Sequence, residues 1–105
     1  MNVYISGSRQ FSKKGEVYDK SEILRETGYH PVTISSLVSR FKALHGRQPS
    51  ESELFEEKLE ALSNCGGNLF LQNKNFSPEI KYDYEYAKEH NLVVFDIFRL
   101  SPYWR

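Results

Sequence analysis

One cysteine in 105 residues leaves nothing to build a disulfide with, and no cysteine-based zinc site. A single free thiol suits a reducing compartment, so a cytoplasmic protein is expected. Charge of either sign is not in excess: 14 Lys plus Arg balance 14 Asp plus Glu. Proteins that hold polymeric nucleic acid usually carry a clear basic surplus, and its lack argues against that class. No apolar run approaches the ~20 residues of a membrane span, and "MNVYISGSRQ" lacks the charge pattern of a signal peptide. The histidines at 30, 45 and 90 are scattered without metal-ligand spacing. The sequence also lacks GxxxxGK[ST] and GxGxxG, so neither a P-loop nor a dinucleotide fingerprint is supported.

What is present is aromatic and alternating. Aromatic residues make up 14% of the chain, with seven tyrosines whose apolar bodies and polar tips suit pockets and interfaces. The length is that of one domain spanning residues 1–105, with no repeats, linkers or low-complexity segments. "NVYIS" (2–6) reads as a buried strand ending at Gly7, and "GEVYDKSEILRETGY" as a helix closed by Gly28. "YHPVTI" (29–34) reads as a second strand, with Pro31 marking an edge or a strand start. In "SSLVSRFKALHG", Leu37, Val38, Phe41 and Leu44 share a helical face that Gly46 stops. "SESELFEEKLEALSNC" opens with Ser50 and Glu53 as a capping box and should bury Leu54, Phe55, Leu59 and Leu62. "NLFLQ" (68–72) is a third strand. A helix follows with Ser77 as N-cap and Pro78 at its first position, where a missing N–H costs nothing. "LVVFDIF" (92–98) reads as a fourth strand, apolar enough to be central.

Strands alternating with helices imply right-handed crossovers and a parallel sheet. The expected fold is therefore α/β, a small four-stranded parallel sheet of order 2-1-3-4 with helices on both faces, a shortened flavodoxin-like arrangement. In such sheets ligands bind at the carboxyl ends of the strands where the order reverses, here between strands 1 and 3. That brings together "SGSRQF" and "NKNFSPEIKYD". Gly7 permits close backbone approach, Ser8 offers a hydroxyl, and Arg9 can fork onto a phosphate or carboxylate. The helix start holds Tyr82, Tyr84 and Tyr86 with Asp83 and Glu85 interleaved. Asp83 sits one turn from Glu79 and Ala87, where the helix dipole favours a charged carboxylate. By itself each feature is also an ordinary turn or a dipole complement, and Cys65 reads as a small buried hydrophobe.

"VYISGS", "ETGYHPV", "FEEKLEALSNC" and the pattern S-x5-D-x-E-x-A followed by "KEHNLVVF" resemble the nucleoside 2-deoxyribosyltransferase superfamily, including its small phage and bacterial branch. The resemblance spans nearly the whole chain in element order and rests on short motifs. It places Ser77 at the family Ser, Asp83 at the family Glu nucleophile and Ala87 at the family Ala. Glu79 stands at a family Gly, and Gly66 at a position where members often carry Asp. It implies a nucleoside or nucleotide N-glycosidic bond hydrolase or transferase in which a carboxylate attacks the anomeric carbon, as in retaining glycosidases. On that reading Asp83 is the nucleophile, Glu85 or Glu79 assists with protons, and Tyr82 or Tyr4 orients the carboxylate. Ser8, Arg9 and Ser77 would hold phosphate or ribose, and Phe11 and Phe76 would flank the base. The alternative is a non-catalytic nucleotide-binding protein, a sensor or sponge, that keeps the pocket without the family Glu. No cofactor or metal is implied, and the partner is a small-molecule nucleoside or nucleotide. A homo-oligomer is also implied, with Tyr103, Trp104 and Arg105 as a subunit contact of the residue types enriched at interfaces.

Overall fold

The computed structural model describes residues 1–7, 22–71 and 77–96. Its strands are β1 (Asn2–Ser6), β2 (His30–Val32), β3 (Gly67–Phe70) and β4 (Val93–Asp96). Its helices are α1 (Ile34–His45), α2 (Glu51–Ser63) and α3 (Pro78–Glu89), and a further helical segment covers 22–26. The strands form one sheet, order β2-β1-β3-β4, and every pairing is parallel. The chain is thus α/β with the expected order 2-1-3-4.

Side chains alternate across the sheet, which sorts the core into two layers. Val3 and Ile5 of β1 and Leu69 of β3 pack with Leu71, Leu24, Tyr29 and Phe95 on one face. Tyr4 points the other way, into a cluster with Ile34 and Leu37 of α1, Leu54 and Leu62 of α2, and Cys65, bordered by Tyr86 of α3. The two-residue period puts Ser6, Asn68 and Phe70 on this second face, under α2 and α3. The segment 22–26 and the three long helices therefore cover opposite faces. Right-handed crossovers require this, because the chain moves outward to β2 in one direction and to β4 in the other.

The helix ends follow local chemistry. Thr33 caps α1 by accepting from the Ser36 amide, and Gly46 closes it in the left-handed region at φ 71. Ser50 and Glu53 make the reciprocal capping box of α2, and the Arg47 guanidinium forks onto both Glu53 oxygens at 2.8 and 2.7 Å. Ser77 caps α3 by accepting from the Ile80 amide, with Pro78 in the first turn. β2 lies at a sheet edge, as Pro31 suggested.

Three readings are corrected. Among the described residues β4 is an edge strand rather than a central one, and Val93 is 50% exposed. Its apolar run answers to partial cover on both faces: Phe95 meets the Tyr29 ring on one, with centroids 5.5 Å apart, and Leu92 packs against the cluster of Tyr4, Ile34 and Leu54 on the other. Leu44 is 73% exposed: it lies in the last turn of α1, past the buried positions Ile34, Leu37 and Phe41. Phe55 is 43% exposed, because the buried stripe of α2 runs through Leu54, Lys58 and Leu62. The third of these bears on function, since it puts a lysine where a phenylalanine was expected.

Candidate functional site

A stripe at i, i+4, i+8 with a lysine in the middle position needs an explanation, because lysine is almost never fully buried without a partner. Lys58 is 4% exposed, and its partner comes from α3. The buried stripe of α3 is Ile80, Asp83 and Ala87, with the Asp83 carboxylate 1% exposed. Lys58 Nζ lies 2.9 Å from Asp83 Oδ1 and 3.8 Å from Glu79 Oε1. The contact with Oδ1 is a buried ion pair. Each helix thus contributes one charge to its apolar face, and the two charges meet between them.

The sheet completes the network from below. Ser6, the last residue of β1, donates its hydroxyl to Asp83 Oδ2 at 2.7 Å. Asn68 of β3 donates its amide to Ser6 Oγ at 2.9 Å and to the Tyr4 carbonyl at 2.9 Å. This fixes the direction of the chain: Asn68 donates to Ser6, and Ser6 donates to Asp83. Asn68 Oδ1 is buried without a hydrogen-bond partner among the described residues. Burial raises the Asp83 carboxyl above its ordinary range. The Lys58 charge and contact, and the Ser6 hydroxyl, pull it back, and Glu79 adds a smaller push upward.

Above this network lies a cleft of about 340 Å³, lined by Lys58, Glu51, Glu79, Phe55, Tyr82 and an apolar floor of Ile34, Leu54 and Pro78. α2 runs antiparallel to β3, so its N-terminal end lies at the carboxyl edge of the sheet. α3 begins there as well, and the cleft opens between the two helix starts, where ligands of such sheets bind. The Phe55 and Tyr82 rings stand 5.5 Å apart at 59°, and Lys58 Nζ lies 5.6 Å from each centroid. The ammonium therefore has two carboxylates and two ring faces around it.

The expected site residues divide three ways. Asp83, Glu79, Tyr82 and Ser77 gather at the start of α3, with Tyr4 buried in β1 below and Gly7 at the end of β1 with φ 96. The Ser77 hydroxyl is engaged as the α3 cap. Glu85 is not brought to the site: it is exposed, and two residues on from Asp83 is about 200° around the helix. Ser8, Arg9, Phe11, Phe76, Tyr103, Trp104 and Arg105 lie outside the described residues. Lys58, Ser6, Asn68 and Phe55 were missed. A signal existed for the first: its place in the apolar stripe of α2 mirrors that of Asp83 in α3.

Cys65 at the end of α2 is buried, and burial pushes its thiol up to about 11, so it stays protonated and inert. Among the described residues no group of three or more His, Cys, Asp or Glu side chains is placed to hold a metal ion. No described helix is long and apolar enough to cross a membrane. Fold and site together define the class: a small parallel α/β protein with an aromatic, mixed-charge cleft at the carboxyl edge of its sheet. Comparison with protein-family models, curated proteins and solved structures finds no match to the chain.

Proposed function

We propose that the chain binds a nucleoside or nucleotide in the cleft between the starts of α2 and α3 and leaves its glycosidic bond intact. The nucleoside part of this reading comes from the resemblance to deoxyribosyltransferases. It is supported by a cleft volume within the ~300–1,000 Å³ of small-molecule sites, and aromatic walls suit a flat base. The observation that carries the non-catalytic part is the state of Asp83. A nucleophilic carboxylate needs an oxygen that can come within about 3–3.5 Å of the anomeric carbon. Asp83 is 1% exposed, with one oxygen held by Ser6 and the other by Lys58. The ammonium also neutralises the charge that would stabilise an oxocarbenium-like centre. A sensor or sponge has use for such a pocket; a glycosidase would have to break the ion pair first.

The second reading is the N-glycosidic bond hydrolase or transferase with Asp83 as nucleophile. It is favoured by the placement of Asp83 at the carboxyl edge, beside the cleft and hydrogen-bonded from β1. The two readings separate in one assay. Purified protein is incubated with nucleosides and 5′-monophosphates while melting temperature and free base are followed. At a hundredfold excess over Kd, binding stabilises by about 2.7 kcal/mol. A raised melting temperature with no free base supports the binding reading. Base release by the wild type, abolished in Asp83→Asn, would overturn it in favour of the enzyme. A homo-oligomer in the cytoplasm belongs to the same proposal, and light scattering on the full chain tests the oligomer.

A further inference from the structure

We infer that Lys58 is the hydrogen-bond donor that reads the ligand, so that the cleft selects a flat ring turning a lone-pair acceptor toward the ammonium. This deepens the proposed nucleoside or nucleotide binding and rests on it. An ammonium carries three N–H donors and no acceptor. Among the described contacts, the one partner within hydrogen-bond distance of Lys58 Nζ is Asp83 Oδ1, at 2.9 Å. Glu79 Oε1, at 3.8 Å, attracts the charge from beyond that distance. The other neighbours are the Phe55 and Tyr82 rings, each with its centroid 5.6 Å from Nζ. A ring face draws a cation but supplies no lone pair in the ring plane. Lys58 is 4% exposed, so solvent has little room to make up the difference. Buried charges are ordinarily paired and hydrogen-bonded in full, and donor capacity left over in one is unusual. Lys58 is also part of the cleft lining, which gives that capacity an outlet.

The network underneath holds the ammonium in place. Asn68 donates to Ser6, Ser6 donates to Asp83 Oδ2, and Asp83 Oδ1 pairs with Lys58, a chain that ties the cleft floor to β1 and β3. Asp83 thereby acts as a positioning residue for Lys58. A donor held this way gives up little side-chain freedom when a ligand arrives, unlike a lysine on an open surface. The walls set the shape of the ligand. Phe55 and Tyr82 meet at 59°, and Nζ is equidistant from both, at the seam of the corner they form. A ring packed on either wall at the centroid spacing usual for aromatic pairs, roughly 4.5–7 Å, can bring an edge atom within hydrogen-bond reach of that seam. Where that atom is a nitrogen or oxygen with a lone pair, it completes the ammonium. A C–H there would cover the donor without satisfying it, and a site built to hydrogen-bond a ligand rejects the analogue that lacks the partner.

Isothermal titration of the full chain with adenosine, 1-deazaadenosine, 3-deazaadenosine and 7-deazaadenosine tests the inference. Each analogue replaces one ring nitrogen by C–H and keeps the flat ring, the amine and the sugar. At least one analogue, the one lacking the acceptor that meets Lys58, should bind about tenfold weaker than adenosine or worse. Lys58→Met combined with Asp83→Asn removes the donor and its charge partner together. In that variant the four ligands should bind alike, held by the rings alone, because the discrimination disappears with the donor. Three analogues that all match adenosine on the wild type overturn the inference and leave the nucleoside reading standing, and that result needs no variant to fold. A tenfold gap that persists in the double variant overturns it equally. No heat with any of the four overturns that reading and the inference with it.

Discussion

Replacing Lys58 by Met keeps most of the apolar stem and removes the charge that Asp83 is paired with. The carboxylate of Asp83, 1% exposed, is then left without a cation inside the fold. It can stay ionised at a large desolvation cost or take up a proton. Protonation sets the ceiling on the loss. An unfolded Asp titrates near 3.9, so holding it neutral at pH 7 costs about 1.36 kcal/mol for each of about three units, or ~4 kcal/mol. This agrees with the 3–5 kcal/mol typical of breaking a buried pair from one side. At pH 5 the same arithmetic leaves about 1.5 kcal/mol. The sign follows from linkage. In the wild type burial already raises the Asp83 carboxyl against the pull of Lys58, so removing Lys58 raises it further; a group raised in the fold contributes fully below its unfolded pKa and loses that contribution as pH rises through the folded one. Lys58→Met should therefore be markedly less stable than wild type at pH 7 and much closer to it at pH 5. For a chain of 105 residues the pH 7 loss corresponds to a melting-temperature drop on the order of 15 °C. Urea unfolding at the two pH values measures it directly. Lys58→Met combined with Asp83→Asn, which keeps an oxygen for Ser6, should recover most of the loss. A loss below about 1 kcal/mol at pH 7, or one equal at both pH values, would refute the description of Lys58 and Asp83 as a mutually dependent buried pair.

Other consequences follow from single contacts. Glu53 is held down to about 2 by the Arg47 guanidinium first, then by the Ser50 amide. Its folded pKa is lowered, so its contribution is present above the ordinary carboxylate value and is lost as pH falls through about 2. Carboxyl NMR should show this titration, and Arg47→Ala should move it toward the ordinary Glu value near 4.3. Gly67→Ala places a Cβ 2.9 Å from the Phe95 ring and 3.2 Å from the Val93 carbonyl, and should cost about 1–3 kcal/mol in denaturant unfolding. The Cys65 thiol, raised to about 11, should react with a thiol reagent at pH 8 only as fast as the protein opens, and at the rate of a free thiol once urea is added.

Most of the architecture was legible because it rests on local signals that tertiary packing did not override. The caps at Ser50 and Ser77, the stop at Gly46 and the strand–helix alternation each name their element, and alternation plus handedness leaves few sheet orders. The failures have physical causes. β4 looked central because an apolar run does not say whether a neighbouring strand exists on each side. Phe55 looked buried because α2 offers two apolar tracks, Leu54-Lys58-Leu62 and Phe55-Leu59, and hydrophobicity alone prefers the one without a lysine. The helix turned the lysine inward because α3 carries Asp83 on the matching face. That pairing joins positions 25 residues apart, and neither helix pattern alone reveals it. Asp83 stands out in the sequence as the unusual acid of α3, while its Ser6 and Lys58 partners become visible only in three dimensions.

The most direct test of the account is a crystal structure of the protein soaked with adenosine. The account predicts the base against Phe55 and Tyr82, an unbroken bond between base and sugar, and Lys58 still on Asp83. A sugar covalently joined to the Asp83 carboxylate, with the base gone and Lys58 displaced, would contradict it.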